Sequence, residues 1–133
     1  MITVVYVCDR IKKDTVYHIF DIRLDGINVG ECNLRVGGDL FYTGNVGYKI
    51  DPEYRNLGYA TAAVTRLMDI AKNFCVDGLY ICCSPENLPS RRVAEKLGAV
   101  YLGDFEIPED HELYAYGKRT ASRYCLKEKN DLK

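Results

Sequence analysis

Arg55, Gly58 and Ala60 stand in the run DPEYRNLGYA, residues 51–60, between an apolar strand-like segment and an amphipathic helical one. An R-x-x-G-x-A loop that closes where a helix opens turns several backbone N–H groups toward one point. The helix start adds partial positive charge at that point. Together they make a seat for a phosphate or pyrophosphate. A second polar cluster follows in ENLPSRRVAEKLGA, residues 86–99. Asn87 suits the N-cap of a helix, and Ser90 falls in its first turn. Arg91 and Arg92 are either phosphate contacts or an exposed helix face.

Other side chains suit proton transfer. Glu31 lies mid-strand in INVGECNLRV, where a carboxylate is uncommon. It reads either as a general base, acting directly or through water, or as an outward-facing strand charge. Tyr48 is a second candidate base, with packing as its alternative. His18 falls on the apolar face of its strand and reads first as a core histidine. His111 sits in a long loop with Glu106, Glu109, Asp110 and Glu112. That acidity either draws a cationic amine or is solvated loop charge.

Composition narrows the classes. The 133 residues suit one domain, 1–133, with a core that needs no metal or disulfide staple. The formal charge of −1 offers no broad basic field for nucleic acid or anionic lipid. Six cysteines, Cys8, Cys32, Cys75, Cys82, Cys83 and Cys125, invite a disulfide framework. Most of them sit in apolar patterns, where a free thiol acts as a small hydrophobe. There is no C-x-x-C and there are two histidines, which argues against zinc. The opening MITVVYVCDR lacks a signal-peptide pattern, and no apolar run reaches membrane-spanning length. The expectation is a reduced, cytoplasmic protein.

The elements that must position these groups follow from periodicity. Strands are expected at 2–8, 15–24 and 27–36, with a hairpin at Asp25-Gly26. Gly-rich GGDLFYTG leads into a strand at 45–50, ended by Asp51-Pro52. Ala60, Ala63, Val64, Leu67, Ala71 and Phe74 repeat at helical spacing, predicting a helix over 59–74. After a turn at Asp77-Gly78, a buried strand is expected at 79–83. Strand, helix and strand then form a β-α-β unit with parallel strands and a right-handed crossover. A second helix is predicted over about 87–97, with Pro89 in its first turn and Gly98 as its stop. Strands at 99–102 and 121–127 flank a long connection at 103–119, and EKNDLK is a polar tail. The fold class is α/β (α+β), a mixed sheet with helices packed on it.

On these residues the chain resembles the GNAT superfamily of N-acetyltransferases, over roughly residues 15–127. RNLGYA at 55–60 is similar to the family's Gln/Arg-x-x-Gly-x-Gly/Ala loop, and 86–99 to its Asn-x-x-Ser…Glu-Lys-x-Gly-Phe segment. The pair looks most like the branch that acetylates ribosomal-protein N-termini. The resemblance implies acetyl-CoA as acetyl donor and a mostly antiparallel twisted sheet with a central splayed parallel strand pair. It implies that the amides of Arg55, Asn56, Leu57, Gly58, Tyr59, Ala60 and Thr61 hold the pyrophosphate. The pantetheine arm would lie along Tyr48, Lys49 and Ile50, with Asn87 and Ser90 opposite and Arg92 near the phosphates. The sequence departs from the family at Ala94, seven positions after Asn87, where many members carry a tyrosine general acid. The familiar Gly-Phe is Gly98-Ala99 here. In the ribosomal branch the Ser90 position is the candidate acid.

Acetyl transfer from a thioester to an amine asks little of side chains. An alkyl amine with a pKa of about 10 must first lose a proton. Backbone N–H groups at Tyr48–Ile50 can stabilise the oxyanion. The leaving thiolate, of pKa about 8.5, gains from an acid without requiring one. The reading is thus an N-acetyltransferase working by direct attack in a ternary complex on a small-molecule or peptide amine. It carries Glu31 and Ser90 as catalytic residues and no metal. The acceptor pocket is expected to be open or completed by a second subunit in a homodimer. The alternatives are a non-catalytic acyl-CoA-binding sensor or partner subunit, and a nucleotide-binding module. The last has no G-x-x-x-x-G-K-[ST] and no G-x-G-x-x-G to support it.

Overall fold

The computed structural model describes residues 1–74 and 78–126, the Phe74 side chain excepted. Cys75, the Asp77 half of the expected turn, the strand end at Lys127 and the tail 128–133 lie outside the described residues. The chain opens with three long antiparallel strands, β1 (Ile2–Lys12), β2 (Thr15–Leu24) and β3 (Ile27–Val36), joined by two-residue turns. Lys13 and Asp25 both take positive φ, as such tight hairpins require. β1 runs four residues beyond the expected end at residue 8. Its outer half is polar and mostly exposed, so cross-strand pairing with β2 rather than burial extends it. A bulge at Val7 absorbs the register shift.

β4 (Val46–Ile50) adds to β3 and completes a four-stranded antiparallel sheet, β1-β2-β3-β4. After the turn at 52–58 comes helix α1 (Tyr59–Ala71). Its apolar stripe, Ala63, Val64, Leu67 and Ala71, packs on Ile22, Val29, Cys32, Leu34, Val46 and Ile50. These side chains are almost wholly buried, and each aliphatic one contributes about 1.5–3 kcal/mol. The α-helix closes three residues earlier than expected, as residues 72–74 tighten into a 3₁₀ turn.

β5 (Leu79–Cys83), helix α2 (Leu88–Lys96), β6 (Val100–Glu106), the one-turn α3 (Glu112–Ala115) and β7 (Thr120–Leu126) follow. They build a second antiparallel sheet of order β5-β7-β6. β6 extends to Glu106, into the expected loop. A bulge at Leu102, followed by Gly103 at φ 121°, shifts the register and lets the strand continue. Asp104 then anchors it, accepting hydrogen bonds from Tyr101 Oη at 2.7 Å and the buried Ser122 Oγ at 2.5 Å.

The fold is α+β and mostly antiparallel, as expected, with its strands divided between two sheets where β4 and β5 part. β4 and β5 share no ladder among the described residues. They are tied where β4 begins, by an isolated bridge between Gly44 and Ile81 and by Asn45 N–H donating to the Tyr80 carbonyl at 2.8 Å. β7, arriving last in the chain, pairs with β5 on one side and β6 on the other and so completes the second sheet.

Candidate active site

The parting of β4 from β5 leaves strand backbone exposed. Arg35 N–H donates to the Asn45 carbonyl, and antiparallel bonding alternates along the ladder. The Asn45 carbonyl and the backbone groups of Gly47 and Lys49 are therefore spent on β3, while the Asn45 N–H goes to Tyr80. Tyr48 and Ile50 turn theirs away from it. The expectation that Lys49 offers its backbone to a ligand fails on this parity. The Ile50 carbonyl is taken by Arg55 Nε at 2.9 Å. Among the described residues, the Tyr48 N–H and carbonyl have no partner on that edge.

A cleft of about 560 Å³ runs from this edge to the start of α1. Local conformation explains why α1 opens onto it. Asn56 and Gly58 take positive φ, 65° and 82°, and so aim successive amides inward. Gly58 is the N-cap and has no side chain to satisfy the first-turn N–H groups. No other side chain among the described residues caps them. A β-carbon on Gly58 would meet nothing within 4 Å, so the requirement there is conformational.

Arg55, Asn56, Gly58, Tyr59, Ala60 and Thr61 line the cleft on one side, as do Tyr48, Lys49 and Ile50 along the strand. Asn87, Ser90 and Arg92 line it from α2. Leu57 does not; its side chain is exposed. Asn87 is also the α2 cap, its Oδ1 accepting from Ser90 N–H at 3.3 Å. Arg91 points elsewhere, donating to the Pro85 carbonyl at 3.0 Å and stacking on Tyr101. Sequence reading missed Tyr54, Pro89, Val93 and Lys96 in the walls. The last three stand at helical spacing with Arg92, a signal that was available.

A second cavity of about 410 Å³ shares only Asn87 and Ser90 with the first. At this junction Tyr48 Oη donates to Ser90 Oγ at 3.3 Å. Burial raises the Tyr48 phenol above its ordinary value, against the smaller opposing effect of the Ser90 hydrogen bond. Tyr48 is therefore a proton donor at neutral pH, and a poor base.

The other expected proton carriers lie apart from the junction. Glu31 is exposed on β3, opposite Asp21 and Lys49, on the face away from α1, and lines neither cavity. Strand alternation sends Cys32 inward and Glu31 out. His18 lines neither cavity and engages Asp9, Nδ1 to Oδ1 2.7 Å. His111 caps α3 through Leu113 N–H and packs its ring edgewise on Tyr42. Of the loop acids only Glu112 reaches a cavity wall, where it pairs with Lys12. The hydrogen bond from Lys12 holds the Glu112 carboxyl below its ordinary range.

A profile of the GNAT acetyltransferase domain matches residues 5–100. The chain belongs to the GNAT acetyltransferase family. Within it, the chain is 34% identical over 86 residues to the uncharacterized N-acetyltransferase YnaD of Bacillus subtilis (strain 168), covering 58% of this chain and 51% of YnaD. A GNAT-family acetyltransferase from Bacillus anthracis superposes with a TM-score of 0.65 at 26% identity, over 81% of this chain and 64% of that one. RimL, a ribosomal L7/L12 α-N-protein acetyltransferase solved with coenzyme A, gives a TM-score of 0.62 at 16% identity, over 84% of this chain and 61% of RimL. At that identity RimL shows likeness of fold alone. This GNAT domain spans about half to two thirds of the length of these relatives.

Proposed function

We propose that this GNAT domain is an acetyl-CoA-dependent N-acetyltransferase acting on a primary amine. The observation that carries the reading is the meeting of two cavities at Ser90 and Asn87. One is walled by uncapped helix amides and a free strand edge, the other by polar and aromatic side chains. The first fits coenzyme A in its chemistry. Unspent N–H groups at the start of α1 suit a pyrophosphate, and the open edge at Tyr48 suits the amides of an extended arm. Arg55, Arg92 and Lys96 add positive charge along the wall. Acetyl-CoA supplies an activated thioester carbonyl.

The chain's own part is positioning and proton traffic. The Tyr48 N–H is the donor for a developing oxyanion. Ser90 Oγ delivers a proton to the departing thiolate and draws a replacement from Tyr48 Oη, which is reprotonated through water by the proton that the attacking nitrogen sheds as it becomes an amide. Among the described residues no carboxylate but Glu112 lines either cavity, and its pairing with Lys12 makes it a weak base. The acceptor therefore gives its proton to water before attack. Holding both reactants at one junction supplies much of the acceleration.

Calorimetry with acetyl-CoA and a CoA-release assay over a panel of amines and peptides test this reading. Micromolar binding with amine-dependent release is the expected result. Binding without turnover on any acceptor points to a non-catalytic acyl-CoA sensor, the reading that Ala94 favours. Stabilisation by ATP or NAD, with none by acetyl-CoA, overturns both.

A further inference from the structure

The second cavity contains a half-buried charge that no carboxylate neutralises among the described residues; Lys118, the other unpaired cation of its wall, is exposed. Lys12 and Glu112 pair with each other. Arg35 has no such partner. It projects from the face of β3 away from α1, in register with Tyr17, whose ring lies 5.7 Å from its Cζ. Nε donates to Asn33 Oδ1 at 2.9 Å and Nη1 to the Thr43 carbonyl at 2.8 Å. These bonds fix the plane of the guanidinium but bring no negative charge. Nη2 makes no hydrogen bond, and no carboxylate pairs with Arg35, among the described residues.

Gly47 accommodates this arrangement. A β-carbon there would lie 2.2 Å from Nη2. Burial lowers the Arg35 pKa, the cost of holding a cation with little water and no counter-charge. A guanidinium fixed on two of its nitrogens, with the third unbonded beside Gly47 and the residue itself lining the cavity, is suited to an oxyanion.

We propose that the acceptor is a primary amine that also carries a carboxylate or phosphate, held by Arg35 Nη2 while the amine reaches toward Ser90. The proposal rests on the acetyl-transfer reading above and narrows its substrate class. The chemistry is shared by both oxyanions, and matched substrates separate them: an amino carboxylate, its carboxamide, and the aminoalkyl phosphate of the same length. The oxyanion-bearing amines are expected to exceed the carboxamide in kcat/KM by about ten- to a hundred-fold, mostly through KM.

In Arg35→Gln that ratio falls toward one, and Arg35→Lys restores part of it. Because Arg35 also holds the Thr43 carbonyl, Gly47→Ala is the second variant. It crowds Nη2 while keeping the charge, and raises KM for the oxyanion amines selectively. Equal use of carboxamide and carboxylate by the unaltered protein overturns the proposal, as does equal loss of both in Arg35→Gln. Calorimetry with the des-amino carboxylate reads the anion site without turnover. Binding that disappears in Arg35→Gln supports the proposal even where no acetyl-CoA is consumed, so loss of the acetyl-transfer reading shows separately.

Discussion

Tyr48 Oη and Ser90 Oγ, on a strand and a helix 42 positions apart in sequence, form a 3.3 Å hydrogen bond at the junction of the two cavities. The bond orients the serine hydroxyl and gives it a proton source that burial keeps protonated. If the two act as one relay, Ser90→Ala and Tyr48→Phe each lower kcat by about ten- to a hundred-fold. The double variant then loses no more than the worse single one, since neither partner functions alone. Pre-steady-state CoA release reads all three; additive losses would break the relay apart.

Gly58→Ala is expected to weaken acetyl-CoA binding by roughly three- to thirty-fold. The substitution has space but must hold φ near 82°, a strain of about 1–2 kcal/mol. It relaxes by turning the first-turn amides away from the cleft. Calorimetry reports the affinity, and a kcat left near its original value locates the loss in binding.

The pH–rate profile follows from the want, among the described residues, of a competent carboxylate base in either cavity. Only the neutral amine attacks, so kcat/KM rises about tenfold per pH unit until the acceptor's own pKa, near 10 for an alkyl amine. Tyr48, raised above 10.0, stays protonated throughout and imposes no fall below that point. A plateau beginning near pH 6 to 7 would instead reveal a base inside the protein.

Asp104 ties β6 to β7, and its hydrogen bonds from Ser122 and Tyr101 hold its carboxyl below the ordinary 3.8. A carboxyl depressed on folding stabilises above its unfolded value and ceases to do so as pH falls through the folded one. Asp104→Asn should therefore lower Tm at pH 7, with the gap to the unaltered protein closing below pH 3.8. Thermal melts across pH 2.5–7 check the trend.

Leu67 is fully buried between α1 and the first sheet. Leu67→Ala costs about 2–5 kcal/mol, read as a drop in the urea midpoint.

Local chemistry was legible in the sequence. Asn87 and Gly98 delimit α2 within a residue, because caps act through adjacent backbone. The loop ending at Gly58 was found by its own glycine. What escaped was settled at a distance. The polar half of β1 is a strand because β2 pairs with it, and Gly103, next to the bulge at Leu102, hid the length of β6. The second sheet depends on β7 reaching back to β5 from the far end of the chain. The second cavity draws its walls from residues as far apart as Lys12 and Ala121, so no window of sequence contains it. Arg35 read as one more strand charge, and Glu31 drew attention for a mid-strand carboxylate that alternation turns outward.

Since the two cavities have separate walls apart from Asn87 and Ser90, neither visitor has to wait for the other. Initial-rate plots against both substrates should intersect rather than run parallel. A dead-end analogue of the amine should compete with the amine while leaving a noncompetitive pattern against the thioester. Traffic through this small domain is then random in order, with the junction serving as a rendezvous and neither occupant as a gate.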